Sequence, residues 1–208
     1  MAEKWRCCLD LSCVCDSEII AGVQDIPAYV RPSSAYREKR NKKEKAMMEI
    51  VNIRIDDRLI HGQVAAVWSL VTKATRIMVV DDLVVKDAVN KEALKMACPK
   101  QCKLSILTAA KAADNLCAGK YEGERVFIVA KSPKTIRSLY DAGFHMEQVN
   151  VGNMAGKQNT KMIKKAVSVT EEDIENFLYL AEQGVKVTAQ MVPTDPVWDF
   201  VELIKAAQ

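Results

Sequence analysis

One of the chain's two histidines, His61, lies in Arg54-Ile55-Asp56-Asp57-Arg58-Leu59-Ile60-His61-Gly62-Gln63-Val64, with Arg58 three residues before it and Gly62 directly after. A neutral imidazole nitrogen attacks phosphorus, and the phosphoramidate so formed is reactive enough to pass its phosphoryl group on. Such transfer needs in-line placement and charge stabilisation, which Arg58 and the backbone N–H groups opening a following helix can supply. Asp56 or Asp57 could hold the other ring nitrogen and fix the tautomer, or could simply anchor Arg58. The same residues also fit a plainer role, a histidine that caps a helix with Arg58 paired to an aspartate. The second histidine, His145, follows Ala142-Gly143-Phe144 and reads as a surface loop residue.

Periodicity says what must position these groups. Val51, Ile53 and Ile55 alternate with Asn52 and Arg54 as in a strand, and Val64, Val67, Trp68 and Val71 fall at helical spacing on one apolar face. The His61 loop is therefore the turn from a first strand into a first helix. Ile77-Met78-Val79-Val80 and Val126-Phe127-Ile128-Val129 are short, wholly apolar runs, suited to parallel strands covered on both faces. Helices are predicted over 86–98, with Val89, Ala93 and Met96 inward, over 108–117, and from Ser132-Pro133 to Gly143; strands are predicted near 103–107, 148–151, 167–169 and 185–192. Thr170-Glu171-Glu172-Asp173 opens a helix in the manner of a capping box, and Asp195-Pro196 is expected to cap a last helix carrying Val197, Phe200, Val201 and Ile204.

This alternation predicts an α/β fold, an open, mainly parallel sheet with helices on both faces, as a single domain over 48–208. In such a sheet ligands bind at the carboxyl ends of the strands. Those ends hold Asp56-Asp57-Arg58 with His61, then Asp81-Asp82, Lys131-Ser132, and the glycine-bearing loop Gly152-Asn153-Met154-Ala155-Gly156.

Composition narrows the function further. The 208 residues are 49% hydrophobic and 27% charged, as in a globular protein, and no run of 18 apolar residues is present to span a bilayer. Of the net charge of +3, residues 1–47 supply two, with nine Lys or Arg against seven Asp or Glu. The remaining chain is nearly neutral, which argues against nucleic-acid binding. Four of the seven cysteines (Cys7, Cys8, Cys13, Cys15) crowd into the start, without paired zinc-knuckle spacing and with no histidine near. The odd count fits a reducing compartment. Residues 1–47 also hold Pro27, Pro32 and the run from Arg37 to Lys45, and read as a solvated, poorly ordered extension. A polybasic patch for an anionic surface is the functional alternative. A further expectation is that Lys43-Glu44 reflects a ribosome-binding sequence, with translation starting at Met47 or Met48 and the extension a translated leader.

The segment RIDDRLIHGQVAAVW resembles the active-site segment of the IIB component of the mannose/fructose/sorbose family of the phosphoenolpyruvate-dependent sugar phosphotransferase system. The likeness continues through VVDD, VNVGNM (Val149 to Met154), VTEEDI (Val169 to Ile174) and GVKVTAQMVP (Gly184 to Pro193), and so covers roughly Met48 to Gln208. It implies a phosphoryl carrier that accepts the group from a phosphohistidine of the IIA component onto His61, through Nδ1, and hands it to a sugar carried by the IIC and IID membrane components. Arg58 is then the phosphate partner, with Asp57, Gly62 and Gln63 in supporting positions. The resemblance implies an open, mainly parallel α/β sheet, no metal or organic cofactor, and a cytoplasmic protein held at the membrane by its partners. Self-association is left open, and sugar identity would be decided chiefly in the membrane components.

Other classes fit parts of the pattern. Acidic pairs after the first two strands resemble the pocket of a receiver module phosphorylated on aspartate. A histidine phosphatase would place Arg and His side by side, whereas Leu59 and Ile60 separate them here. A non-enzymatic α/β ligand-binding module is the remaining alternative.

Overall fold

The computed structural model describes residues 48–207; the expectations for 1–47 lie outside them. The strands are β1 (Glu49–Asp56), β2 (Arg76–Val80), β3 (Lys103–Leu107), β4 (Arg125–Ala130), β5 (Gln148–Asn153), β6 (Lys161–Lys164), β7 (Val167–Val169), β8 (Lys186–Ala189) and β9 (Trp198–Asp199). Seven form one sheet in the order β3-β2-β4-β1-β5-β8-β9, parallel except that β9 runs antiparallel to β8. β6 and β7 pair separately as an antiparallel hairpin. The helices are α1 (Gln63–Trp68, continuing through Ser69–Val71), α2 (Ala88–Ala97), α3 (Ala109–Cys117), α4 (Pro133–Asp141), α5 (Glu171–Glu182) and α6 (Phe200–Ala207). The expected open, mainly parallel α/β sheet is the one observed.

The apolar runs have no polar face because helices cover both sides of the sheet. Ile77, Val79, Phe127 and Val129 pack under α1 and α2, with Val64, Trp68 and Leu94. Met78, Val80, Ile128 and Val151 point the other way, into a core completed by Ile136, Phe177 and Phe200 of the later helices. Full burial of each such side chain contributes about 1.5–3 kcal/mol. Local capping agrees with the sequence: Ser132 accepts from Thr135 N with Pro133 in the first turn, and Thr170 and Asp173 form a reciprocal capping box.

Four expectations are corrected. Val64 and Trp68 of α1 are buried, but Val67 and Val71 are exposed. The first six residues are wound as a π-helix, whose i→i+5 hydrogen bonds rotate successive residues differently from the spacing assumed. In α2 only Leu94 is buried while Val89 and Met96 face solvent, since this helix sits at the end of the sheet, where β3 is the last strand and little surface remains to cover. The strand predicted to 192 stops at Ala189. The last helix begins at Phe200, capped by Asp199 Oδ1, which accepts from Val201 N at 2.9 Å and Glu202 N at 3.1 Å; Asp195 instead accepts from Val192 N in the preceding loop.

Candidate active site

β1 ends in Asp56, whose fully buried carboxylate gathers four donors. Oδ1 accepts from Arg58 N (3.3 Å) and Arg58 Nε (3.2 Å); Oδ2 accepts from Arg54 Nη2 (3.1 Å) and Arg58 Nη2 (3.4 Å). Arg54 lies two positions earlier on the same strand and hence on the same face of the sheet. It too is fully buried: Nη1 donates to Gln190 O (3.0 Å) and Nη2 to Met191 O (3.2 Å). Its guanidinium lies 5.1 Å from the Trp68 ring centroid, and Trp68 Nε1 donates to the same Met191 O at 3.0 Å. Burial lowers the Arg54 pKa from its ordinary value, and the Asp56 carboxylate opposes that shift.

The loop that follows is shaped by a turn. Leu59 N donates to Asp56 O at 2.9 Å, and Leu59 adopts φ 57°, a left-handed conformation that costs a leucine about 1–2 kcal/mol. Burial of its side chain offsets that strain. Its carbonyl lies 3.0 Å from His61 Nδ1. A carbonyl can only accept, so Nδ1 is the donor in this contact. Nε2 is buried, has no hydrogen-bond partner, and lies 3.7 Å from Asp56 Oδ2.

The choice left open between the two aspartates is thereby made. Asp56 meets both Arg58 and His61, while Asp57 ties the loop to its neighbour across the sheet: Asp57 N donates to Asn153 O (3.1 Å) and Asp57 Oδ2 accepts from Ala155 N (2.9 Å). Asp57 also lines a cavity of about 70 Å³ with Lys131, Ser132 and Thr170, so the ends of β1, β4 and β5 do converge. Gln63 Oε1 is buried without a partner. Gly62 has φ −43°, and a Cβ there would meet nothing within 4 Å, so neither the backbone nor the packing of the protein itself requires glycine. His145 is an exposed loop residue packed edge-on against Tyr140. Asp81 and Asp82 cap backbone turns instead of joining the site: Asp81 Oδ1 accepts from Leu83 N and Val84 N, both at 2.8 Å, and Asp82 Oδ1 from Ala109 N at 3.0 Å.

A guanidinium has five N–H donors, and Arg58 commits those on Nε and one on Nη2 to Asp56. With its side chain 44% exposed, the others remain for an incoming anion. The arrangement is thus a partly free guanidinium anchored on a buried carboxylate, with a histidine held at the Leu59 carbonyl and its Nε2 3.7 Å from the same carboxylate.

Residues 50–208 match the family model described as the phosphotransferase-system sorbose subfamily IIB component. The chain belongs to this family of IIB components. Among its relatives are the fructose-specific EIIB component of Bacillus subtilis (strain 168), 38% identical over 159 residues, which are 76% of this chain and 98% of that one. The mannose-specific EIIAB component of Escherichia coli (strain K12) is 37% identical over 178 residues, 86% of this chain and 55% of that one. Of solved structures, the IIBSor domain of the sorbose permease from Klebsiella pneumoniae is similar with a TM-score of 0.74 and 35% identity, covering 77% of this chain and 99% of that one. This IIB component therefore acts in phosphoryl transfer within a sugar phosphotransferase system, and the receiver and ligand-binding alternatives are set aside. No helix among its described residues is long and apolar enough to cross a membrane.

Sequence reasoning missed Arg54 and understated Asp56. The available signal was the Arg-x-Asp-x-Arg spacing of Arg54, Asp56 and Arg58 at the end of a strand that the fold class itself requires to be covered on both faces. The carbonyls of Gln190 and Met191 left no such signal.

Proposed function

We propose that His61 of this IIB component is the transient phosphoryl carrier. The observation that supports this most directly is the placement of His61 at the carboxyl end of β1 beside Arg58, whose fork is anchored on buried Asp56 while its remaining N–H groups stay free. The donor is the phosphohistidine of a IIA component, consistent with the combined EIIAB name of the Escherichia coli relative. The donor N–P bond breaks as the His61 N–P bond forms, the donor nitrogen recovering its lone pair. In the second step a sugar hydroxyl on the IIC and IID membrane components attacks phosphorus as the His61 N–P bond breaks; the hydroxyl proton passes to solvent and His61 recovers its lone pair as a neutral imidazole. The activity is that of a protein-Nπ-phosphohistidine–sugar phosphotransferase, carried out at the cytoplasmic side of the membrane components.

Arg58 neutralises charge that builds on the equatorial oxygens, in the role that bound metal ions have in kinases. Attachment through Nδ1 requires that nitrogen to leave the Leu59 carbonyl and give up its proton, the ring passing to the tautomer protonated on Nε2, which lies 3.7 Å from Asp56 Oδ2. The open space beside Gly62 is available to the phosphoryl group. Asp57 holds the loop in place from Ala155 N, and Gln63 Oε1, which lacks a partner, is a supporting acceptor.

The test is transfer of labelled phosphate from phosphoenolpyruvate through the general components and IIA. The wild-type chain should acquire an acid-labile, alkali-stable label and His61→Ala none. An unlabelled wild type in a competent mixture, or a labelled His61→Ala, would overturn the reading.

A further inference from the structure

We infer that Arg54 is a positioning residue for phosphoryl transfer, acting through Asp56 on Arg58; this rests on the reading of His61 as the carrier. The inference starts from an imbalance. Arg58, which faces the reacting group, is substantially exposed, and its fork is held by one carboxylate. A flexible arginine so placed is only as well aimed as the carboxylate beneath it. Asp56 has two oxygens to orient, and Oδ2 is shared between Arg58 Nη2 and Arg54 Nη2 while also being the oxygen nearest His61 Nε2. Arg54 Nη2 is therefore the fixed donor from the protein interior that sets the carboxylate plane, and the plane sets the direction of the Arg58 fork.

Arg54 has unusual means to be that fixed point. Its side chain has no exposed surface, and its guanidinium is clamped by the Gln190 and Met191 carbonyls, where the chain leaves β8. Trp68, on the helix that follows His61, packs on the guanidinium and binds the same Met191 carbonyl. Asn150 of β5 fixes the clamp in turn, donating to Gln190 O at 3.2 Å and accepting from Gln190 N at 2.9 Å. A buried ion pair placed for stability alone needs none of this orientation, and a pair of apolar residues of similar volume serves stability as well or better. The guanidinium also leaves Nε buried without a partner. Holding the fork in this one orientation thus forgoes a hydrogen bond.

The experiment is rapid-quench transfer from phosphorylated IIA to the full-length chain, at varied donor concentration, with folding of each variant checked by urea titration. Arg54→Lys keeps the charge and loses the planar fork. Its limiting transfer rate should fall about ten- to a hundredfold with little change in the donor concentration at half-maximal rate. The discriminating readout is a double-mutant cycle. If Arg54 acts through Asp56 on Arg58, then Arg54→Lys should add little to the loss already caused by Arg58→Ala. Should Arg54→Lys fail to fold, Trp68→Phe, which removes the bond to Met191 O and shrinks the ring packed on the guanidinium, gives a milder rate loss that should likewise vanish in the Arg58→Ala background. The inference is overturned if the folded single variant (Arg54→Lys, or Trp68→Phe in its place) transfers at the wild-type rate, or if its loss and that of Arg58→Ala multiply independently. Labelling of His61→Ala in the same series would instead overturn the carrier reading.

Discussion

Gly152 of β5 lies directly against the guanidinium of Arg54, so that a Cβ built on the glycine would fall well inside van der Waals distance of the guanidinium carbon and its terminal nitrogens. Those atoms are locked by the Asp56 carboxylate and two backbone carbonyls and cannot yield as the end of a flexible side chain would. Gly152→Ala should therefore displace Arg54 from Asp56 and destabilise the fold by about 3 kcal/mol or more, since it breaks a buried ion pair without removing either charge. A shift of the urea midpoint smaller than that of a typical surface substitution would show that the two residues do not constrain each other.

Arg58 and Asp56 share hydrogen bonds but should respond differently to substitution. Arg58→Ala removes a half-exposed charge, so stability should change by about 0–1 kcal/mol while transfer slows by about a hundredfold or more through lost charge stabilisation. Asp56→Asn leaves Arg54 buried without its counter-ion and should lower stability by about 3–5 kcal/mol. Urea unfolding and labelled transfer measured on both variants check the contrast; equal stability losses would contradict it.

Asp57 offers a finer discrimination. Its Oδ2 accepts from Ala155 N, and an asparagine retains an acceptor oxygen at that place. Asp57→Asn should thus be nearly neutral for stability and Asp57→Ala should cost about 0.5–1.5 kcal/mol, the net value of one hydrogen bond, since the exposed Ala155 N–H then turns to water. If the negative charge were what matters, both variants would lose stability alike in thermal melts.

Away from the site, Glu124 accepts from Arg76 Nε and Nη2 and from Lys103 Nζ, joining the starts of β2 and β3 to the turn before β4. Chiefly through the Arg76 hydrogen bonds, its pKa is lowered from 4.5 to about 2. A carboxylate with a depressed folded pKa contributes its full stability above the ordinary value. That contribution should be lost as pH falls from about 4.5 towards 2. Glu124→Gln should lose about 1–3 kcal/mol at neutral pH and show a flatter acid limb across that interval. Urea midpoints measured through the window provide the check; parallel curves for variant and wild type would refute it.

How far these features are legible before folding depends on whether a residue obeys its own element. Ile77-Met78-Val79-Val80 is readable as a covered parallel strand because every side chain in it is apolar, and it is buried throughout. Ser132-Pro133 and Thr170 are readable because capping is a local hydrogen bond. Arg54 falls on the polar beat of β1, and strand alternation alone would send it to solvent; its burial depends in part on the Gln190 and Met191 carbonyls, far along the chain. The exposed Val67 and Val71 of α1, and Val89 and Met96 of α2, depend on helical winding and on where the sheet ends, neither of which a spacing rule contains. β6 is hidden for a similar reason, as Lys161 and Met162 are exposed and the strand exists through pairing with β7. His61 and Arg58 are legible because their chemistry is carried by residue type and three-residue spacing, whereas the choice of Asp56 over Asp57 waits on geometry.

The register of β1 against β4, from Glu49 beside Arg125 to Ile55 beside Ala130, puts the Glu124 cluster and the Asp56 site at opposite ends of the sheet. Seven residue steps of extended chain run from Glu49 to Asp56, about 23 Å, well past the range over which substitutions interact energetically. The Glu124 share of acid tolerance is consequently separable from turnover in this molecule. Selection, or a protein engineer, can adjust the one by rewriting the charges at the amino ends of the strands without reopening the question of how fast the other end passes on its cargo.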